Sequence, residues 1–401
     1  MATELPPITV EPDNPGATDP GAGDGPASTV TPGQNTAAEQ QPGTPAEARP
    51  WPTSGFKEII VLEVNGWLFS EWTTVRVEQL NTEPFPKFQF ECTEESPIPL
   101  KVDALQFVPG DIVRVFIGGQ LVVYGYIIER HVGYDAKQHG VRLIGTGDTI
   151  DVTTTSVPPD KLGNHDGKTW QQLANDLTAH LGIKVTLQGD VDNTPIKQIQ
   201  VNPGETIWNT LDRYAKHRNI ILGSRPQGGI LAIGDHSAET NGYLIEGQNI
   251  LRANCVVRDQ WVYKHKYGIG QDSGSDQSNM DKANKQIAYD PGPHQRNRYL
   301  VILGDIADIP HGIQQRLQME KKFTDATEIE AQITVQGWFK DYSQSNDLWK
   351  AGEYYHVRSP SLILDQTLGC KGCVYEQSDA GSTTTLTMVD PRHMGGKPNF
   401  S

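Results

Sequence analysis

GTGDTIDVTTTSVPP, residues 145–159, is where the chain changes character. Upstream lie short runs rich in Val, Ile, Phe and Tyr; downstream, apolar residues recur at helical spacing. The upstream runs are FKEIIVLEV, WTTVRVEQL, KFQFECT, IVRVFI, LVVYGYIIERHVGY and HGVRLIGTG. Such residues suit a pleated, half-buried surface. Asn65-Gly66 and Gly118-Gly119 between runs are hairpin signals, because the tight turns that match strand twist need positive φ at their centre. Pro109-Gly110-Asp111 is a turn leading into IVRVFI. Six strands with no helical period predict a small closed or sandwich-like β-module over 56–157.

Residues 158–247 read as a small α/β module. Thr169-Trp170-Gln171-Gln172 fits a capping box, and Trp170, Leu173, Ala174, Leu177 and Leu181 then make one apolar stripe. A second helix is expected from Asn202-Pro203-Gly204-Glu205, with Asn202 as cap, Pro203 in the first turn and Glu205 complementing the dipole. Ile207, Leu211, Tyr214 and Ala215 would be its buried face, and ILAIGD a following strand. From 248 to 395 the pattern is β-rich again, a second β-module. VVRDQWVYKHKYGIG reads as one strand, Gln271 to Gln295 as a long mobile loop, and about Pro310 to Phe323 as a helix. ITVQGWF, YYHVRSP, LILDQTL, VYEQ and TTTLTMV close the module, and 396–401 form a tail.

A chain of 401 residues exceeds one hydrophobic core and fits two to four domains. Residues 1–55 read as a flexible acidic Pro/Gly-rich arm. The first 50 residues hold one basic residue, Arg49, against seven acids and few apolar side chains. Such a segment cannot offset its ordering entropy by burial. It is either a disordered leader or an arm that orders on a partner. The formal net charge of −15 argues against a nucleic-acid clamp, which needs a basic stripe to displace counterions. It leaves room for DNA to pass without sticking. No 18-residue apolar run predicts a transmembrane helix, and the N-terminus lacks a signal-peptide pattern, so synthesis in a cytoplasm is expected.

Motifs for chemistry are sparse. Four cysteines, Cys92, Cys255, Cys370 and Cys373, are no disulfide scaffold. Cys370-Lys371-Gly372-Cys373 is the only close pair, and no second pair completes a zinc site. A local disulfide and two unlinked thiols both remain open. Positions 370 and 373 face opposite sides of a straight strand, so a bridge requires Gly369 or Gly372 to bend the chain. Gly163 to Thr169 is one residue short of a phosphate-binding loop and reads as a turn into a capped helix. HExxH and GxSxG are absent, the histidines lack metal-ligand spacing, and no compact helical domain carries a hydrolytic carboxylate pair. No catalytic, cofactor-binding or metal-binding residue is therefore assigned. Most of the tryptophans sit in apolar patterns and read as core. VNPGETIWNTLDRYAKHRN looks like the opening of a LysM cell-wall-binding motif, but SRPQGGILAIGD departs from it where a second helix should follow. A glycan-binding tail protein, or a hub-associated cell-wall hydrolase, is the alternative reading.

Taken in order, NGWLFSEWTTVRV, GDIVRVFIGGQLVVYGYI, RLIGTGDTIDVTTTSV, ITVQGWF, DLWKAGEYYHVRSP and TTTLTMVDP resemble the baseplate hub protein family of phage Mu and its relatives in contractile tails. KTWQQLANDLTAHLGI and VNPGETIWNTLDRYAKHRNI sit where that family has a small α/β domain. The match runs from about 56 to 395; the arm and the Cys370/Cys373 pair are departures from it. The resemblance implies a mainly β chain with an α+β insert: two β-barrel, tail-tube-like modules flanking the α/β module. It also implies a non-enzymatic homotrimer whose six β-modules form a ring. That ring would join a hexameric tail tube to a three-fold spike and other baseplate proteins, and leave a DNA channel. The expected location is the virion tail, after assembly in the host cytoplasm, with no cofactor.

Overall fold

The computed structural model describes residues 58–70, 72–93, 107–134, 139–270, 285–291, 296–304, 311–341 and 347–397. The acidic arm lies outside these residues, as does most of the loop expected over Gln271 to Gln295.

The upstream runs form β1 (Ile60–Val64), β2 (Trp67–Phe69), β3 (Thr74–Leu80), β4 (Lys87–Thr93), β5 (Ile112–Ile117), β6 (Gln120–Tyr134) and β7 (His139–Gly147). The two predicted hairpins are present. Asn65 and Gly66 take φ of 50° and 86°, Gly118 and Gly119 of 54° and 81°, and they join β1 to β2 and β5 to β6. Val113, Val115 and Ile117 point inward while Ile112 and Arg114 point out, the two-residue period of a half-buried strand.

At Gly147 the chain leaves the sheet and enters α1 (Ile150–Thr154). Next come α2 (Trp170–Thr178), β8 (Val185–Gln188), α3 (Ile207–Lys216), β9 (Ile221–Ser224) and β10 (Ile230–Ile233). The capping box forms: the Gln172 amide donates to the Thr169 hydroxyl and the Thr169 amide to the Gln172 side chain. Trp170, Leu173, Leu177, Ile207, Leu211 and Tyr214 bury together against the three-stranded sheet β8-β10-β9. The second helix starts later than expected. Thr206, not Asn202, caps α3, its hydroxyl accepting from the Asn209 amide. Asn202 to Glu205 instead form a turn with Gly204 at φ 83°, and Glu205 pairs with Arg213 at 2.8 Å. A Thr three residues before a free amide outcompetes an Asn that must first cross a left-handed glycine.

The remaining elements are β11 (His236–Ser237), β12 (Thr240–Ile245), β13 (Ile250–Val257), β14 (His265–Gly270), β15 (Lys285–Pro291), β16 (Tyr299–Leu303), α4 (His311–Ala326), β17 (Ile329–Gln336), β18 (Tyr354–Ser359), β19 (Leu364–Ser378), β20 (Gly381–Val389) and β21 (Gly396–Lys397). Three expectations are corrected. VVRDQWVYKHKYGIG is two strands, β13 and β14, separated by a turn around Asp259 and Gln260. The expected loop contains β15, paired antiparallel with β14. LILDQTL and VYEQ belong to one strand, β19, because Gly369 and Gly372 bend it without ending it.

The larger correction concerns the barrels. The strands do not close into two barrels. They form one open, predominantly antiparallel 13-stranded sheet in the order β13-β17-β20-β19-β3-β4-β7-β6-β5-β1-β2, with β18 and then β12 branching from β19. Closure requires the terminal strand of a module to pair with its own far strand. Instead β3 pairs with β19, placing Val77 opposite Tyr375 and Gln79 opposite Cys373. One hydrophobic core therefore runs through both β-rich parts, from Leu62 and Phe90 to Trp338 and Tyr375.

Candidate functional site: an assembly scaffold

The stretch at 145–159 is a joint. Asp148 is buried at the end of β7, and both its carboxylate oxygens accept the Gly229 amide at 3.0 Å. Its own amide donates to Tyr124. The amide of Gly147 and the hydroxyl of Thr146 donate to the Pro86 carbonyl, and the Thr149 hydroxyl to that of Pro84. Loss of water pushes the Asp148 carboxyl above its ordinary range, with the Asp151 charge adding to the shift; the amides of Gly229 and Thr149 oppose it. One acidic side chain thus ties the first β-rich part to the turn before β10.

A second joint is α4. Met319 and Phe323 pack with Ile221, Leu231 and Ile233 of the α/β module, and Lys322 reaches Asp235 and the Asn219 side chain. From the same helix Asp325 pairs with Lys266 of β14; the two side chains are 5% and 0% exposed. A buried pair of this kind adds little net stability, because desolvation offsets its attraction.

The main path of the open sheet has two ends, and its branch ends in β12. At one end β13 exposes Leu251, Val256 and Val257, the last at 65%; at the other β2 exposes Trp67 at 73% and Leu68. On the small sheet β15-β14-β16, Tyr299, Val301 and Leu303 share one exposed face. Long apolar edges invite pairing with another chain.

The positions singled out from sequence fare as follows. Lys168 of the phosphate-loop-like turn is engaged by Asp176 and His165, and Gly167 adopts φ 75° ahead of the capped helix, so the turn serves α2. After α3 the chain enters β9 rather than a second helix, which removes the LysM order. Trp170, Trp338 and Trp349 are buried and Trp72 and Trp208 pack against core, as expected for most of them, while Trp67 and Trp261 are exposed. Cys370 and Cys373 are brought together, both fully buried, with sulfurs 3.3 Å apart. Among the described residues no group of three or more His, Cys, Asp or Glu could hold a metal ion, and no helix is long and apolar enough to cross a membrane. Asp148 and the Lys266–Asp325 pair were not legible in advance; only the Gly-Asp-Thr turn after a strand hinted at the first.

Residues 59–147 match the family described as Mu phage baseplate assembly protein GpP-like, N-terminal. Residues 146–234 match baseplate hub protein gp44-like, second domain, and residues 310–395 match Mu phage baseplate assembly protein GpP, fourth domain. The baseplate hub protein gp44 of Escherichia phage Mu is 24% identical over 298 residues, covering 72% of this chain and 76% of that protein. Among solved structures, the 43 kDa tail protein of prophage MuSo2 from Shewanella oneidensis superposes with a TM-score of 0.71 at 22% identity, covering 85% of this chain and 100% of that one. A tail protein from Neisseria meningitidis MC58 gives 0.70 at 18% identity, covering 85% and 98%. Three domain matches in order along the chain, together with the shared fold, match the chain to the phage Mu gp44-like family of baseplate hub proteins.

Proposed function

We propose that this chain is the central hub of a contractile tail baseplate, a homotrimer that joins the hexameric tail tube to a three-fold spike and leaves a channel for DNA. A structural, non-enzymatic role in the phage tail baseplate is supported by the family; the trimer, the ring and the channel are our reading. The observation that carries it is the open sheet. Each chain brings two β-rich parts, over 56–157 and 248–395, fused through β3 and β19, with the α/β module of 158–247 set between them in sequence. Its ends are unlike: a long apolar β13 and a short β2 bearing Trp67. Unlike edges join head to tail, and head-to-tail contacts close into a ring when the rotation between copies is a whole fraction of a turn, here a third. Three copies would present six β-rich parts around one axis, enough to meet a six-fold tube on one side and a three-fold spike on the other. The net charge of −15 suits a lumen that DNA traverses without adhering. Assembly in the host cytoplasm belongs to the same reading.

Light scattering on the full chain tests it. The wild type is expected at three times the 44.2 kDa chain mass alone, or, once mixed with tail partners, in complexes that hold three copies of the chain. Val257→Asp and Leu251→Asp should yield monomers with an unchanged circular dichroism spectrum. Trimers that persist in both edge variants, or a monomeric chain inside the assembled particle, would overturn the proposal.

A further inference from the structure

We infer that Cys370 and Cys373 are a disulfide site, a covalent clasp across a bulge beside the β3–β19 pairing that joins the two β-rich parts of the sheet. Three residues apart in a regular strand, the two side chains would face opposite sides. Here Cys370 lies opposite Met388, but Gly372 lies opposite Thr387, so Lys371 is an extra residue with no partner on β20. That insertion turns both thiols to the same buried face, and the Cys370 thiol also contacts the Gly372 carbonyl at 3.3 Å.

The bulge is built in. The Asn81 amide donates to the Lys371 carbonyl at 2.9 Å, and the Cys370 amide to that of Glu353 at 2.8 Å. A Cβ on Gly372 would come within 2.7 Å of Leu80, and one on Gly369 within 2.7 Å of Met394. Any side chain at either position would have to displace the end of Leu80 or Met394, so the two glycines let both pack closely over the bend. Its position matters as much as its shape. Before the bulge β19 pairs with β18, down to Gly369 opposite Tyr354; after it, from Gly372 opposite Leu80, β19 pairs with β3. The thiols mark that change of partner.

The sulfurs at 3.3 Å need to approach by about 1.3 Å to reach bonding distance, a shift that side-chain rotation can supply. A small disulfide of the glutathione class is the oxidant. The thiolate of one cysteine attacks it, forming a mixed disulfide and releasing one small thiol; the second cysteine thiolate then displaces the other small thiol and closes the Cys370–Cys373 bond. The two hydrogens and two electrons lost by the protein end on the two released thiols. Both thiols are fully buried, and burial pushes that of Cys373 up, so exchange is slow in the folded chain and proceeds while the chain folds.

The test uses the full chain carrying Cys92→Ser and Cys255→Ser, with the wild type in parallel. Each is refolded from denaturant in reduced and oxidised glutathione at several ratios, acid-quenched, alkylated in denaturant and weighed intact. In oxidising buffer the double variant is expected to take up no alkyl group and to weigh two hydrogens less than the dithiol form. Trypsin cuts after Lys371, so the two halves of the Cys370–Cys373 segment should stay linked until reduced. The unfolding midpoint should rise by roughly 3 °C, and exchange of the Asn81 amide should slow. A further Cys370→Ser change should abolish that rise. Two alkylatable thiols at every ratio, glutathione retained on either cysteine, or an equal rise in the Cys370→Ser form would overturn the inference.

Discussion

Replacing Asp148 tests the joint at the end of β7. The Gly229 amide has both Asp148 oxygens at 3.0 Å and sits in a buried turn. Asp148→Ala removes that acceptor and strands the donor, at a cost of about 2 kcal/mol, or roughly 30-fold in the folded-to-unfolded ratio. Asp148→Asn keeps a carbonyl acceptor and removes a charge whose burial is unfavourable, so the loss should stay below about 1 kcal/mol at neutral pH. The two variants also differ in their pH response. The folded state raises the Asp148 carboxyl above its unfolded value. Its contribution is therefore fully present below the unfolded value, about pH 3.9, and is lost as pH rises through the folded one. Asn carries no such titration, so Asp148→Asn should gain on wild type as pH rises from about 4 through the folded value of Asp148 and then run parallel to it. Urea denaturation followed by tryptophan fluorescence reads this, since Trp170 and Trp338 are buried and will report unfolding. Hydrogen exchange at Gly229 locates the effect. Equal losses for Ala and Asn, or unchanged Gly229 exchange in the Ala variant, would refute the reasoning.

Lys266→Met should cost about 3–5 kcal/mol by leaving the Asp325 carboxylate buried with Arg392, 4.0 Å away, as its remaining ion-pair partner among the described residues. Lys266→Met with Asp325→Leu should recover most of that, as a urea-based double-mutant cycle will show. Burial, with the Lys371 charge, lowers His393 from 6.5 to about 4. A histidine kept neutral in the fold contributes stability that is present above 6.5 and lost as pH falls through about 4. Acidification across that window should therefore destabilise the wild type more than His393→Gln, measured as the pH dependence of the unfolding midpoint.

Much of the local structure was legible because it rests on contacts within a few residues. Asn65-Gly66 and Gly118-Gly119 dictate hairpins by φ alone, Thr169 and Gln172 cap α2 by reciprocal hydrogen bonds, and the stripe from Trp170 to Leu177 buries as its spacing requires. Errors arose where nearby alternatives competed. Thr206 displaced Asn202 as a cap, and the exposed turn before β14 interrupted an apolar run that looked continuous. The tryptophan pattern did not single out Trp67 and Trp261 as exposed, because an apolar neighbourhood in sequence says nothing about which side of a strand or turn meets solvent.

By itself, then, the chain of residues determined most of the strands, the two hairpins, the cap of α2, the buried face of α3 and the order of motifs that matches the family. Only the tertiary structure decided that the strands run into one open sheet, since the pairing of Val77 with Tyr375 spans most of the chain and depends on which edges remain free after the local hairpins form. The same holds for Asp148 with Gly229, Lys266 with Asp325, and the shared face of Cys370 and Cys373. Each is a pairing of groups whose partner is chosen by packing, or by a one-residue bulge, and propensity and periodicity carry no record of either.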